Sequence, residues 1–122
     1  MGKKILIIDD ERDLVETLTF RLEAAGYEIS AAYDGQEGLE KARELEPDLI
    51  LLDVMMPKMD GYQVCRILKF DEDFKNIPII MLTARGRNTD KETGKTVGVD
   101  GYITKPFEST ELLKKVKSYL SE

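Results

Sequence analysis

The chain has no histidine among its 122 residues. That absence removes histidine acid–base catalysis, the usual zinc sites and any role as a phosphohistidine donor. A single cysteine, Cys65, excludes an intramolecular disulfide and fits a reducing cytosol, so a cytoplasmic location is expected. Its place beside Val64 and Leu68 in a helical pattern points to core packing rather than redox chemistry. Long hydrophobic runs are missing as well. The longest cover about five residues against the roughly 20 that a membrane crossing needs, and no membrane partner is expected. Met1-Gly2-Lys3-Lys4 leads straight into a strand pattern, so no signal peptide is expected. No basic patch offsets the net charge of −6, which argues against nucleic acid as a direct partner. Internal repeats, low-complexity tracts and interdomain linkers are absent too.

What is present suits one soluble globular domain over residues 1–122, long enough for a real core. Hydrophobic residues at 42% and charged ones at 34% separate it from a disordered chain. Strand-like runs are expected at Lys4–Asp9, Glu28–Tyr33, Asp48–Asp53, Pro78–Thr83 and Tyr102–Thr104. Helical patterns follow them at Asp13–Ala25, Gln36–Leu45, Tyr62–Phe70 and Glu111–Leu120, with Gly26 and Pro47 as stops. Strand–helix alternation at this spacing predicts an α/β, flavodoxin-like, doubly wound parallel sheet with helices on both faces. The first, third and fourth strands are continuously apolar, as in parallel strands covered on both sides. The second and fifth mix in polar residues and fit edges, which gives the order 2-1-3-4-5. Asn88–Val97 has almost no apolar face and is read as a helix of low local stability, suited to movement.

The chemistry gathers at strand ends. Asp9 and Asp10 close Ile5-Leu6-Ile7-Ile8, Asp53 closes Leu49-Ile50-Leu51-Leu52, and Thr83 closes Ile79-Ile80-Met81-Leu82. Lys105 stands just before Pro106. In such sheets ligands bind beyond the carboxyl ends of the strands, at the switch point between the first and third. Carboxylates gathered there would raise one another's pKa unless a cation neutralised them. Oxygen ligands without histidine or thiolate suit Mg²⁺, and a hydroxyl and an ammonium beside it suit a phosphoryl group on Asp53. The set reads as an aspartyl-phosphate site.

With these residues placed, the chain resembles the receiver domain of bacterial two-component response regulators, essentially end to end. The resemblance is carried by Ile7-Ile8-Asp9-Asp10-Glu11, Asp48-Leu49-Ile50-Leu51-Leu52-Asp53-Val54-Met55-Met56-Pro57, Met59-Asp60-Gly61, Met81-Leu82-Thr83-Ala84 and Lys105-Pro106-Phe107. It implies a signalling module, not a turnover enzyme, that takes a phosphoryl group on Asp53 from a sensor histidine kinase, a phosphotransfer protein or a small phosphodonor. It implies Mg²⁺ ligation by Asp10 and Asp53, by Asp9 mostly through water, and by the Met55 backbone carbonyl. Thr83, Ala84 and Lys105 would contact the phosphoryl group, Thr83 and Tyr102 would act as the switch, and Lys105–Pro106 would be a cis peptide. The surface around Asn88–Val97, the last strand and the last helix would carry the signal to a downstream protein or a fused output domain. The state implied is a monomer or a phosphorylation-dependent dimer. Met55 and Arg85 occupy positions that tune phosphoryl lifetime in the family and would shield against water. Gly98-Val99-Asp100-Gly101 departs from the family pattern, and its extra glycine is expected to loosen the entry to the last strand.

Other classes fit less well. A haloacid-dehalogenase-type phosphohydrolase needs a second Asp two residues after its nucleophile, where this chain has Met55, and a cap domain for which there is no room. An FMN binder needs a small polar phosphate loop after the first strand, where Asp9-Asp10-Glu11-Arg12 would repel phosphate. A dinucleotide fold needs Gly-x-Gly-x-x-Gly, which does not occur. A receiver kept only as a constitutive docking surface would need neither the acidic set nor Lys105.

Overall fold

The computed structural model describes residues 2–84 and 97–121. Its elements run β1 (Lys4–Ile8), α1 (Arg12–Ala24), β2 (Glu28–Ala32), α2 (Gly35–Leu45), β3 (Leu49–Asp53), α3 (Gly61–Lys69), β4 (Ile79–Ala84), β5 (Gly101–Lys105) and α4 (Ser109–Tyr119). The helix expected over Asn88–Val97 lies outside the described residues apart from Val97, which is buried, and Arg85 lies outside them too.

All neighbouring strands pair in parallel, in the order β2-β1-β3-β4-β5. Every residue of β3 is buried and so is all of β1 after Lys4, whereas β2 and β5 are only partly covered. The apolar runs therefore occupy the centre and the mixed runs the edges, as the sequence predicts. Alternation within each run sends side chains to opposite faces. Leu6, Ile8, Ile50, Leu52, Ile79 and Met81 join a core with Leu39 and Ala42 of α2 and Val64, Cys65 and Leu68 of α3. Ile5, Ile7, Leu49, Leu51, Ile80 and Leu82 join the opposite core with Val15, Leu18 and Leu22 of α1 and Leu112 and Val116 of α4. Burying each such side chain contributes about 1.5–3 kcal/mol, and that double cover makes the sheet a rigid platform for its strand ends.

Local chemistry sets the helix ends. Asp34 caps α2 by accepting from Glu37 N at 2.8 Å, and the Glu37 side chain accepts from Tyr33 N, one residue before the cap, at 2.7 Å. At the start of α3 the bonding is fully reciprocal, with Asp60 accepting from Gln63 N and the Gln63 side chain accepting from Asp60 N. Gly26 takes φ +99° and donates to Glu23 O at 2.9 Å, which stops α1 where the sequence places a stop. The Cys65 thiol is buried and pushed up to about 12, mainly by burial, so it is an inert core group.

The segment before β5 is anchored rather than loosened. Lys69 Nζ donates to Lys75 O at 3.1 Å, Ile77 O at 2.8 Å and Asp100 Oδ2 at 2.8 Å, using all three of its protons. Asp100 Oδ2 also accepts from Ile79 N at 2.8 Å, and Asp100 O accepts from Tyr119 Oη at 2.6 Å. A Cβ on Gly101 would collide with that tyrosine hydroxyl, so this glycine makes room for a tie. The expectation of a loosened strand entry is corrected on that ground.

Candidate functional site

The sheet register delivers the site. Asp53 ends β3 opposite Leu82, Thr83 lies opposite Thr104, and Ala84 opposite Lys105, the last residue of β5. Asp9 and Asp10 follow β1, the neighbour of β3 on its other side. Parallel strands with matched ends thus bring together residues up to 96 positions apart in the chain.

Asp9 is fully buried, and Asp9 N donates to Ala32 O at 3.1 Å. Its Oδ1 accepts from Glu11 N at 2.9 Å, which ties it to the entry of α1, and its Oδ2 accepts from Lys105 Nζ at 2.8 Å. Asp53 is 5% exposed; its Oδ1 accepts from Lys105 Nζ and from Met55 N, both at 3.4 Å. Asp10 is exposed. Thr83 is buried and Ala84 half-buried. Met55, whose N–H reaches Asp53, is 53% exposed. The Lys105–Pro106 peptide is cis.

The electrostatics follow from this crowding. Burial, and then the Asp9 carboxylate, raise Asp53 from 3.8 to about 6, while Lys105 and the Met55 N–H oppose them. Burial alone would lower the Lys105 ammonium. The Asp9 hydrogen bond and the charges of Asp9, Asp53 and Glu11 outweigh it and hold Lys105 above its ordinary value. One ammonium therefore faces three acids, Asp9, Asp53 and Glu11.

A carboxylate oxygen from each of Asp9, Asp10 and Asp53 can be chosen so that all lie within 4.8 Å of one another. Oxygen donors in excess of positive charge, with one acid already pushed up, fit a hard divalent cation such as Mg²⁺. The same three acids are the ones the sequence singles out.

Tyr102 lies half-buried in β5, with its hydroxyl 3.3 Å from that of Tyr62 and its carbonyl accepting from Lys115 Nζ at 2.8 Å. Three neighbours were not assigned a role from the sequence. Glu11, known only as part of the acidic motif, reaches Lys105 at 3.3 Å. Gly61, read from the sequence only as part of the Met59-Asp60-Gly61 motif, donates to Val54 O at 2.9 Å, and a Cβ there would collide with Asp53 O. Tyr62 reads in sequence as one more residue of a helix, and nothing marks its contact with Tyr102.

The response regulator receiver domain family matches residues 5–117. The transcriptional regulatory protein PhoP of Bacillus subtilis, named for alkaline phosphatase synthesis, is 47% identical over 98% of this chain and 49% of its own length. The DNA-binding dual master transcriptional regulator RpaA of Synechocystis is 46% identical over 96% of this chain and 48% of its own. The chain thus spans about half the length of these relatives. Their names do not fit an absence of nucleic-acid partners for a full-length regulator of this kind, so that expectation is restricted to these 122 residues. Among solved structures, Vibrio cholerae chemotaxis protein CheY4 superposes with a TM-score of 0.91 at 35% identity, over 98% of this chain and 99% of that one. The receiver domain of sensor histidine kinase PA1611 from Pseudomonas aeruginosa, described with a magnesium ion in its active-site cleft, gives 0.90 at 29% identity over all of both chains. Among the described residues no helix is long and apolar enough to cross a membrane. By sequence match and by fold, this chain belongs to the response regulator receiver domain family of two-component systems.

Proposed function

We propose that residues 1–122 form one receiver domain that accepts a phosphoryl group on Asp53 and signals by rearranging its β4–β5 side. The observation that carries this reading is Asp53 itself. It is a nearly buried carboxylate at a central strand end, raised to about 6, with Lys105 at 3.4 Å and two further acids beside it.

At neutral pH the Asp53 carboxylate is mostly ionised and can attack phosphorus. A new Oδ–P bond forms as the bond from phosphorus to the leaving group breaks, and the donor departs with that electron pair. The donor is a phosphohistidine of a sensor kinase or phosphotransfer protein, or a small acyl phosphate. Little covalent help is needed; in-line positioning and neutralised oxygens suffice. Asp9, Asp10, Asp53 and the Met55 carbonyl would hold Mg²⁺, which when bound supplies positive charge for the phosphoryl oxygens. Thr83, Ala84 N–H and Lys105 would take those oxygens as hydrogen-bond acceptors. The added charge of about −1.5 to −2 then redistributes contacts at the ends of β4 and β5, with Thr83 and Tyr102 as the switch pair. The receiving partner is a downstream protein or an output domain of the same polypeptide. The half-length coverage of the two transcriptional regulators favours the second, with any DNA contact outside these residues. The docking-only alternative is disfavoured because it leaves the three acids and Lys105 without a purpose.

Incubation with acetyl phosphate and Mg²⁺ tests the reading. One phosphoryl group, stable in acid and labile in base, should appear by intact mass, and Asp53→Asn should abolish it. Labelling of Asp53→Asn at the wild-type rate would overturn the assignment.

A further inference from the structure

We propose that Tyr62 is a positioning residue that couples the Asp53 loop to β5 through its hydroxyl contact with Tyr102; the inference rests on Asp53 being the phosphoacceptor. Tyr62 follows Gly61, whose N–H donates to Val54 O at 2.9 Å and where an added Cβ would collide with Asp53 O. Val54 N in turn donates to Leu82 O at 3.1 Å, so this loop is fixed to β4 as well. The Asp60–Gln63 reciprocal cap, with bonds of 2.9 and 3.0 Å, stiffens the first turn of α3. From that turn the Tyr62 hydroxyl reaches Tyr102 at 3.3 Å, across 40 residues of sequence. Both rings lie against the core that contains Val54 and Met56, the residues on either side of Met55 in the loop after Asp53.

The chain of contacts runs from the Asp53 backbone through Gly61 and Tyr62 to the middle of β5. It is separate from Lys105, which reaches the acids from the end of β5, and from Thr83 near the end of β4. A displacement of the loop after Asp53 tilts the first turn of α3, and Tyr62 transmits the tilt to Tyr102. Packing alone needs only the two rings, which phenylalanine would supply equally well. The hydroxyls are what the coupling requires, because they meet at 3.3 Å and phenylalanine removes that contact while keeping the rings.

A double-mutant cycle isolates that contact. The dissociation constant of beryllofluoride in saturating Mg²⁺ is measured by calorimetry for wild type, Tyr62→Phe, Tyr102→Phe and the double variant. Tyr62→Phe should shift it about fivefold in the wild-type background and less than about twofold in the Tyr102→Phe background, the low end of typical site–site coupling. An unchanged constant in Tyr62→Phe would overturn the coupling and leave ring packing as the residue's role, and equal shifts in both backgrounds would overturn it by assigning the hydroxyl's effect to a partner other than Tyr102. Wild-type protein that binds no beryllofluoride at all would instead overturn the phosphoacceptor reading, and this inference with it.

Discussion

Lys105 Nζ stands 2.8 Å from Asp9 Oδ2 and 3.4 Å from Asp53 Oδ1. The ammonium is therefore first the counter-charge of Asp9, which is fully buried, and only second a neighbour of the phosphoacceptor candidate. Removing one partner of a buried pair leaves the other uncompensated. Lys105→Met should accordingly lower stability by about 1–3 kcal/mol in the absence of divalent metal, discounted from the fully buried case because Glu11 and solvent reach the site. Millimolar Mg²⁺ should recover much of that loss, since a cation among the acids replaces the missing ammonium. Chemical denaturation with and without Mg²⁺ checks this. An equal loss under both conditions would mean that the two cations do not serve the same carboxylates.

Asp53 carries the opposite kind of cost. Its folded value, about 6, lies above its unfolded value of 3.8, so the folded state binds the extra proton between those limits. Stability from this group is highest below about pH 4 and falls as pH rises toward 6, after which the penalty stays constant. Asp53→Asn removes the charge, and should stabilise the metal-free protein at pH 7.5 by about 1–3 kcal/mol. The gain should vanish near pH 3.5 and shrink at pH 7.5 when Mg²⁺ is added. Melting temperatures across that range give the comparison, and a gain that is flat with pH would point to packing rather than charge.

Much of the fold was legible because the strands differ so plainly. Ile5–Ile8, Leu49–Leu52 and Ile79–Leu82 are apolar without interruption, and a parallel strand buried on both faces has no other way to read. The acids stood out because each closes one of those runs. Helix starts were less visible. The last helix begins at Ser109 rather than Glu111, and Glu108 at its N-cap makes no side-chain bond that would announce it. Least visible were pairings between elements, such as Lys69 with Asp100 or Tyr62 with Tyr102. Those depend on helix rotation against the sheet, which periodicity fixes only to a face and not to an atom. Lys115 shows the same limit: a lysine on a charged helix gives no hint that it donates to Tyr102 O.

Mg²⁺ should bind before any phosphoryl group arrives, because the repulsion it relieves is already present among Asp9, Asp10 and Asp53. Binding only the folded state stabilises by mass action, by about 2.7 kcal/mol at a hundredfold excess over the dissociation constant. The melting temperature should therefore climb with Mg²⁺ through the millimolar range. Asp10 is the exposed member of the set and forms no hydrogen bond or ion pair among the described residues, so Asp10→Ala should keep the metal-free melting temperature and lose most of the rise. An undiminished response in that variant would place the cation elsewhere.

Thr83 offers the cleanest separation of chemistry from response. It sits one residue past the position opposite Asp53, beside Thr104 in the register, with Ala84 beside Lys105. A phosphoryl oxygen that takes the Thr83 hydroxyl and the Lys105 ammonium pulls on two adjacent strand ends at once. Beryllofluoride should then change amide exchange most across residues 84–104 and least in α1, whose Val15, Leu18 and Leu22 are held in the fully buried core on one face of the sheet. Thr83→Ala keeps Asp53, Lys105 and the three acids, so acetyl phosphate should still label it. The exchange change at residues 84–104 should shrink, because only Lys105 remains to pull. Typical switch couplings of about 1–3 kcal/mol are large enough to read by exchange without unfolding the domain. Uniform protection along the whole chain, or a response in Thr83→Ala equal to wild type, would instead mean that the ligand stabilises the fold globally and that Thr83 carries no part of the signal.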